Sequence, residues 1–202
     1  MILDSTFYSN TDVVLLAKQL IGKVLYTRIG NCISSGIILE TEAYAGINDK
    51  ASHAYGNKRT PRTEIMYKEG GCAYIYLIYG MHSLFNVVTN NAGIPHAVLI
   101  RSILPFHGIE YMETRKGIKL KSFKDGVGPG KLSKLLGIDY KMTGIPLINE
   151  SNKNAIWIED QNIEISQNKI QVGKRIGVDY AMEDAERLYR FWIGASEINL
   201  SE

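Results

Sequence analysis

The pattern of hydrophobic and polar positions predicts a sheet-rich chain with a few short helices. Apolar residues recur at helical spacing over residues 11–22, where Thr11 can cap the first turn and Gly22 can end the helix. Runs rich in strand-forming residues predict strands at residues 23–28, 35–44 and 189–193. Strands are therefore expected to dominate the fold.

Two further strand-like runs predict a β-hairpin. They cover residues 72–79 and 83–90 and flank the short turn Gly-Met-His. The nearly continuous apolar run at residues 96–104 is typical of a buried central strand. We therefore expect one α+β domain over residues 1–202, with a curved, largely antiparallel mixed sheet, peripheral helices and a protruding hairpin.

The pattern fails over residues 46–71, where glycine, asparagine, proline and charge dominate. A loop of this length, with room for one short helix, is more often functional than idle. Short helices are predicted at residues 108–116, 130–136 and 181–187, and short strands and turns over residues 157–177.

The amino-acid composition narrows the class of protein but does not indicate a function. Hydrophobic residues make up 45% of the 202 residues and charged residues 22%, which is ordinary for a globular protein. Two cysteines without metal-like spacing indicate a reducing, cytoplasmic setting. We recognise neither a secretory signal nor an apolar run long enough to span a bilayer.

The net charge of +2 is mild, but its distribution is uneven. One basic segment contains Arg115, Lys116, Lys119, Lys121, Lys124, Lys131 and Lys134 against the single acid Asp125. A second contains Lys50, Lys58, Arg59 and Arg62. Clustered positive charge can follow a phosphate backbone, but it is also common on solvated surface loops.

Two carboxylates on one strand are the first candidates for chemistry. Side chains alternate along a strand, so Glu40, Glu42 and Tyr44 share a face. They could belong to a charged edge strand or to structural ion pairs. Alternatively, paired acids suit general acid–base catalysis, and periodicity does not choose between Glu40 and Glu42.

The hairpin carries the second set of candidates. Tyr74 and Tyr76 share a face, and Tyr79 falls at the turn. An aromatic side chain at a hairpin tip could be inserted into a DNA duplex, and a ring further back could stack on an extruded base. The competing interpretation is that all three are ordinary strand formers packed against neighbours.

Polar interruptions supply the remaining candidates. His53 lies in the long loop, while Asn86 and Arg101 interrupt apolar strands and must find partners there. The segment 126–134 lacks the P-loop pattern, but the amides around Gly130 and Lys131 could bind a DNA phosphate. No cluster of metal-ligand residues is visible, so we expect neither metal nor cofactor.

Five segments, taken in order, resemble the alkyladenine (3-methyladenine) DNA glycosylase family found in mammals and many bacteria. They are ILETEAYAGINDKASHAYGNKRTPRT, YIYLIYGMHSLFNVV, AVLIRSILP, GPGKLSKLLGI and RIGVDYA. The resemblance covers residues 16–191. It departs from the mammalian enzymes at His82, where they have tyrosine.

The resemblance implies a role for each candidate. Glu42 corresponds to the water-activating base and Arg101 to the residue that holds the water. The pocket for the flipped base corresponds to Tyr44, His53, Tyr76 and Asn86, with Asn86 disfavouring guanine. Tyr79 corresponds to the residue that fills the gap in the duplex. The family needs no metal or cofactor and has no lyase activity.

We therefore expect a monofunctional glycosylase that flips alkylated or deaminated purines out of double-stranded DNA and hydrolyses their N-glycosidic bond. It should act as a monomer, without a membrane, in a bacterial cytoplasm. The preferred lesion is not indicated. The alternatives are a non-catalytic lesion-binding protein and a nucleic-acid-binding module of another enzyme.

Overall fold

A single curved sheet organises the molecule in the computed structural model, which describes residues 1–148 and 153–198. Its strands are β1 (Val24–Ile29), β2 (Cys32–Tyr44), β3 (Ala73–Ile78), β4 (His82–Thr89), β5 (His96–His107), β6 (Asn154–Glu159), β7 (Gln171–Gly173) and β8 (Arg190–Trp192). The main order is β3-β4-β5-β2-β1-β6, and β8 pairs with β2 and β7. Every described pairing is antiparallel, so the expected α+β class is confirmed.

The long strands β2 and β5 form the centre of the sheet. Their pairing shifts register near Ser35 and again around Glu40, and such irregularities bend and twist a strand locally. Gly36 is required at the first of these positions, because a Cβ atom there would lie 2.5 Å from the Ile103 side chain. Since β2 is paired on both sides, the edge-strand explanation for Glu40 and Glu42 is wrong.

Within the described residues, four α-helices flank the sheet: α1 (Ser5–Tyr8), α2 (Val13–Gln19), α3 (Ile109–Lys116) and α4 (Pro129–Leu136). The predicted cap of α2 was one residue early. The carboxylate of Asp12, not the Thr11 hydroxyl, accepts hydrogen bonds from the first-turn amides at 3.0 and 2.9 Å. The helix predicted over 181–187 is instead a 3₁₀ segment, Asp179–Glu186, interrupted at Met182.

Alternation along β2 separates the core from the site. Thr41 and Ala43 are buried, and the Thr41 hydroxyl donates to the Ala17 carbonyl of α2 at 2.8 Å. The opposite face of β2 contributes Tyr44 to a cavity that residues of the 46–71 loop also line. This loop contains three short 3₁₀ turns rather than one helix, and Ile65, Met66 and Tyr67 anchor it in a small core with Tyr74. These packing contacts hold the loop against the sheet.

Candidate active site

A cavity of about 570 Å³ opens between β2, the 46–71 loop, the hairpin and the start of α4. Most of the candidates meet there. Its lining includes Tyr44, His53, Tyr76, Tyr79, Asn86, Arg101 and Gly130. The volume is within the range of small-molecule pockets.

Glu42 lies behind this lining and is fully buried. Its Oε2 atom accepts hydrogen bonds from the Tyr44 hydroxyl at 2.9 Å and from Arg101 Nη1 at 3.3 Å. Its Oε1 atom accepts from the Ile176 backbone N–H at 2.8 Å. All three donors belong to residues that line the cavity. The carboxylate is therefore held in one orientation next to the cavity.

Burial raises the pKa of Glu42 above its ordinary value, although the Arg101 guanidinium and the other two donors oppose this effect. A carboxylate whose charged form is poorly solvated is a stronger base than a free one. Burial also raises the pKa of Tyr44 well above its usual range. The Tyr44 hydroxyl therefore stays protonated and remains a donor.

Glu40 has a different environment. Its Oε1 atom accepts from Arg101 Nε at 3.2 Å and from Arg190 Nε at 2.7 Å. Arg190 is not part of the cavity lining. Glu40 is therefore an ion-pair partner that fixes Arg101, while the three hydrogen-bond donors of Glu42 all belong to residues that line the cavity.

Aromatic rings form the opposite wall. His53 lies edge-on to Tyr76 with ring centres 4.7 Å apart, and Tyr74 and Tyr76 are 5.5 Å apart. His53 Nδ1 is 2.7 Å from the Tyr74 hydroxyl. Burial, with a further contribution from Arg62, lowers the pKa of His53 to about 4. The imidazole is therefore neutral at physiological pH.

The ring of Tyr44 is supported from behind by Arg175, whose guanidinium carbon is 4.9 Å from the ring centre. Arg175 is fully buried and paired with Asp49 of the loop. It also donates to the backbone carbonyl of Ala43 at 2.9 Å. The next residue is Ile176, so the same contacts fix the amide that binds Glu42.

Tyr79 occupies the tip of the hairpin, between β3 and β4. It is 85% exposed and has a φ of 53°, a left-handed conformation that is uncommon for a residue with a side chain. Met81 beside it is 71% exposed. The hairpin itself is confirmed, and its tip presents apolar side chains to solvent rather than to a core.

Of the three remaining candidates, Asn86 and Gly130 line the cavity and Lys131 does not. Asn86 is buried and donates from Nδ2 to the Tyr74 and Leu84 carbonyls at 3.1 and 3.2 Å, so it has the partners that its place in an apolar strand requires. Gly130 lines the cavity near the beginning of α4, but Lys131 is exposed and outside the lining. Their role in phosphate binding stays a prediction.

Several lining residues received no individual role from the sequence, and three of them, Arg62, Ile176 and Tyr180, are polar or present a polar group. Arg62 was noted only as part of a basic segment. The Ile176 amide carries no side-chain signal, and its contact with Glu42 spans 134 residues. Nothing in a local pattern could have identified it.

No group of three or more His, Cys, Asp and Glu side chains within residues 1–148 and 153–198 could hold a metal ion. Across the same residues, no helix combines the length and apolar character needed to cross a bilayer.

The fold and the cavity thus define an enzyme-like site with one buried carboxylate and a wall of stacking rings. Comparison with known proteins is consistent with this class. The methylpurine-DNA glycosylase family model matches residues 6–197. Relatives named "Putative 3-methyladenine DNA glycosylase" occur in Clostridium perfringens, Chlamydia abortus and Bacillus cereus.

The identities are 43% for the Clostridium perfringens protein, covering 96% of each chain, and 43% for the Chlamydia abortus protein, covering 94% of this chain and 96% of the relative. The Bacillus cereus protein is 42% identical over 93% of each chain. The chain belongs to the methylpurine-DNA glycosylase family. The resemblance carried by the five sequence segments is confirmed, and the general class is that of a DNA-repair glycosylase.

Proposed function

We propose that this protein is a monofunctional glycosylase that hydrolyses the N-glycosidic bond of damaged purines flipped out of double-stranded DNA. The observation that carries the proposal is the buried Glu42 carboxylate, held by three donors beside an aromatic-walled cavity. A DNA-binding protein that only shields damage has no need for a desolvated base at this point.

Glu42 acts as the general base. It accepts a proton from a water molecule that Arg101 helps to hold, and the water oxygen forms a bond to the sugar C1′ atom. The N-glycosidic bond breaks, and its electron pair leaves with the purine. The products are a free base and an abasic site. No covalent intermediate with an amine is formed, so the strand is not cut.

The cavity supports base flipping as the mode of access. A base inside a duplex cannot reach a buried carboxylate, so the enzyme must extrude the nucleotide, at a cost of about a few kcal/mol. Tyr44, His53 and Tyr76 supply the walls between which the base stacks. Tyr79, exposed at the hairpin tip, takes the vacated place in the stack.

Selectivity and affinity draw on the margin of the cavity. Asn86 is held by two backbone carbonyls, so it cannot move aside, and it crowds the exocyclic amine of normal guanine. Gly130 and Lys131 bind a backbone phosphate. The substrate is duplex DNA with damaged purines, and we propose that the protein acts as a monomer in a bacterial cytoplasm, associated with the nucleoid through DNA.

The test is base release from alkylated duplex DNA by the wild type and by Glu42→Gln. The wild type should release free purines and produce strand breaks only after alkali, because the product is an abasic site. Glu42→Gln should bind the damaged duplex but release base about 10²- to 10⁴-fold more slowly, since the general base is lost. Glu64→Gln, an exposed carboxylate paired with Arg59 outside the cavity, is the matched control.

Stability provides a check on this variant. Because burial raises the pKa of Glu42, its contribution to stability is complete below the ordinary glutamate pKa and is lost as the pH rises through the folded value. The glutamine amide nitrogen cannot accept the hydrogen bond that one oxygen of Glu42 accepts, so the thermal midpoint of Glu42→Gln is compared with that of the wild type to show that the fold is intact. An active Glu42→Gln would remove Glu42 from the role of base, and strand breaks without alkali would contradict the monofunctional proposal.

A further inference from the structure

Arg62 is a cation in the cavity wall to which the proposed mechanism gives no task. Its guanidinium carbon lies 4.7 Å from the centre of the Tyr76 ring. Its Nη2 atom is 3.2 Å from Nε2 of His53. Arg62 is thus in contact with two of the three rings proposed to hold the flipped base, and it lines the cavity itself.

The charge of Arg62 has no counter-charge in the site. Arg101, the other arginine in the lining, is paired with both Glu40 and Glu42. Arg175, behind Tyr44, is paired with Asp49. For the part of the chain that the structure describes, no carboxylate lies within ion-pair distance of Arg62.

His53 adds no negative charge that could pair with Arg62. Arg62 Nη2 lies within hydrogen-bond distance of both ring nitrogens of His53, 3.2 Å from Nε2 and 3.4 Å from Nδ1. His53 Nδ1 also lies 2.7 Å from the Tyr74 hydroxyl. His53 is held among these contacts as a neutral ring, because burial and Arg62 lower its pKa to about 4, and Arg62 supplies the positive charge of this wall.

We propose that Arg62 is a specificity-determining residue that favours electrically neutral damaged purines over cationic ones. The inference rests on the proposed function. A ring-alkylated purine such as 7-methylguanine carries a positive charge and meets a like charge at Arg62. A neutral purine such as hypoxanthine meets no such repulsion, and its ring nitrogen or carbonyl acceptors suit a guanidinium donor.

The experiment compares single-turnover base release from two duplexes of the same sequence, one with hypoxanthine and one with 7-methylguanine. The two bases differ in their intrinsic reactivity as leaving groups. This difference is the same for every variant, so a change in the rate ratio relative to the wild type reports only the effect of the substitution. Arg62→Gln should lower the neutral-to-cationic ratio by about two- to fivefold, as expected for an exposed charge that solvent partly screens. Arg62→Lys should retain most of the ratio, because the charge is kept.

Arg59→Gln is the matched control from the same loop. The Arg59 guanidinium stacks on Tyr67 and pairs with Glu64, and it lies outside the cavity lining. Its loss should leave the ratio unchanged. The thermal midpoint of each variant shows whether the fold is intact.

The outcomes separate this inference from the proposed function. If Arg62→Gln slows both duplexes by the same factor, Arg62 serves general DNA binding and the inference is wrong. A ratio that rises would also overturn it. If the wild type releases neither base while it binds both duplexes, the proposed function fails instead, and the protein is a lesion-binding protein.

Discussion

Glu42 shows how one residue can be both costly and useful. A buried carboxylate is stable only when donors replace the lost water, and here Tyr44, Arg101 and the Ile176 amide do so. These donors do not restore the ordinary pKa, because burial has the larger effect. The outcome is a carboxylate that is oriented and yet basic.

Tyr44→Phe should move the pH dependence of base release. The substitution keeps the ring that faces the cavity but removes a hydrogen bond to the charged form of Glu42. The pKa of Glu42, already raised by burial, should rise further. Since only the deprotonated form accepts a proton from water, the rising acid limb of the single-turnover rate should shift to higher pH.

The matched control is Tyr180→Phe. The Tyr180 hydroxyl also lies at the cavity, but it donates to the Ala51 carbonyl at 3.2 Å and not to a carboxylate. Its acid limb should coincide with that of the wild type. An unshifted limb in Tyr44→Phe would show that this hydrogen bond does not tune Glu42.

The hairpin of β3 and β4 brings chemistry and recognition together within one element. Tyr76, near the middle of β3, faces the cavity, while Tyr79 at the tip faces solvent. The two positions are separated along the strand by about 3.3 Å per residue. One rigid element can therefore place a side chain in the duplex while another contacts the extruded base.

Tyr79→Ser should weaken base flipping without weakening the fold. The side chain is exposed and in a left-handed conformation, so the free energy of unfolding should change by no more than about 0.5 kcal/mol. The fluorescence of a base analogue at the lesion should report less extruded nucleotide, because the duplex can close again. Tyr140→Ser, a half-exposed tyrosine outside the cavity, is the control. Unchanged flipping in Tyr79→Ser would contradict the proposal that Tyr79 takes the place of the extruded base in the duplex.

The sequence predicted these elements where a pattern was local. Strand alternation and a glycine turn identified the hairpin, and an apolar run identified β5. The three 3₁₀ turns of the 46–71 loop carry no such period. Tertiary contacts order the loop instead, such as those of Ile65, Met66 and Tyr67 in the small core with Tyr74. Strand alternation predicted which face of β2 carries the Glu42 side chain. The assignment of Glu42 rather than Glu40 as the candidate base depended on the family resemblance.

The whole molecule depends on contacts between distant parts of the chain. The main hydrophobic cluster joins Leu16 of α2, Phe85 and Ile100 of the sheet and Leu132 of α4. We therefore propose that residues 1–202 fold as one domain, and a single cooperative unfolding transition is expected. No sequence pattern reveals the pairing of Asp49 with Arg175, since 126 residues separate them and both are charged side chains that would ordinarily be placed at the surface.

The buried pair of Asp49 and Arg175 is the strongest candidate for a contact that fixes separate segments of the chain relative to one another. The Arg175 guanidinium donates to the Asp49 carboxylate, the Ala43 carbonyl of β2 and the Asp184 carbonyl. It thereby ties together β2, the 46–71 loop and the 175–184 segment. Both charged side chains are fully buried, so neither can regain water if the other is removed.

Arg175→Met should destabilise the protein by about 3–5 kcal/mol, because Asp49 would remain as an uncompensated buried charge. For a chain of this length the thermal midpoint should fall by roughly 6–20 °C. The double variant Arg175→Met with Asp49→Asn should recover part of the loss, since the stranded charge is gone. The asparagine oxygen can replace only one of the two carboxylate oxygens that accept from the Ala45 and Ala51 amides, so the recovery is incomplete. Base release should fall in both variants, because Arg175 supports Tyr44 and the adjacent Ile176 amide holds Glu42. A loss below about 1 kcal/mol in the single variant would show that the pair behaves as a surface ion pair and that other contacts fix the site.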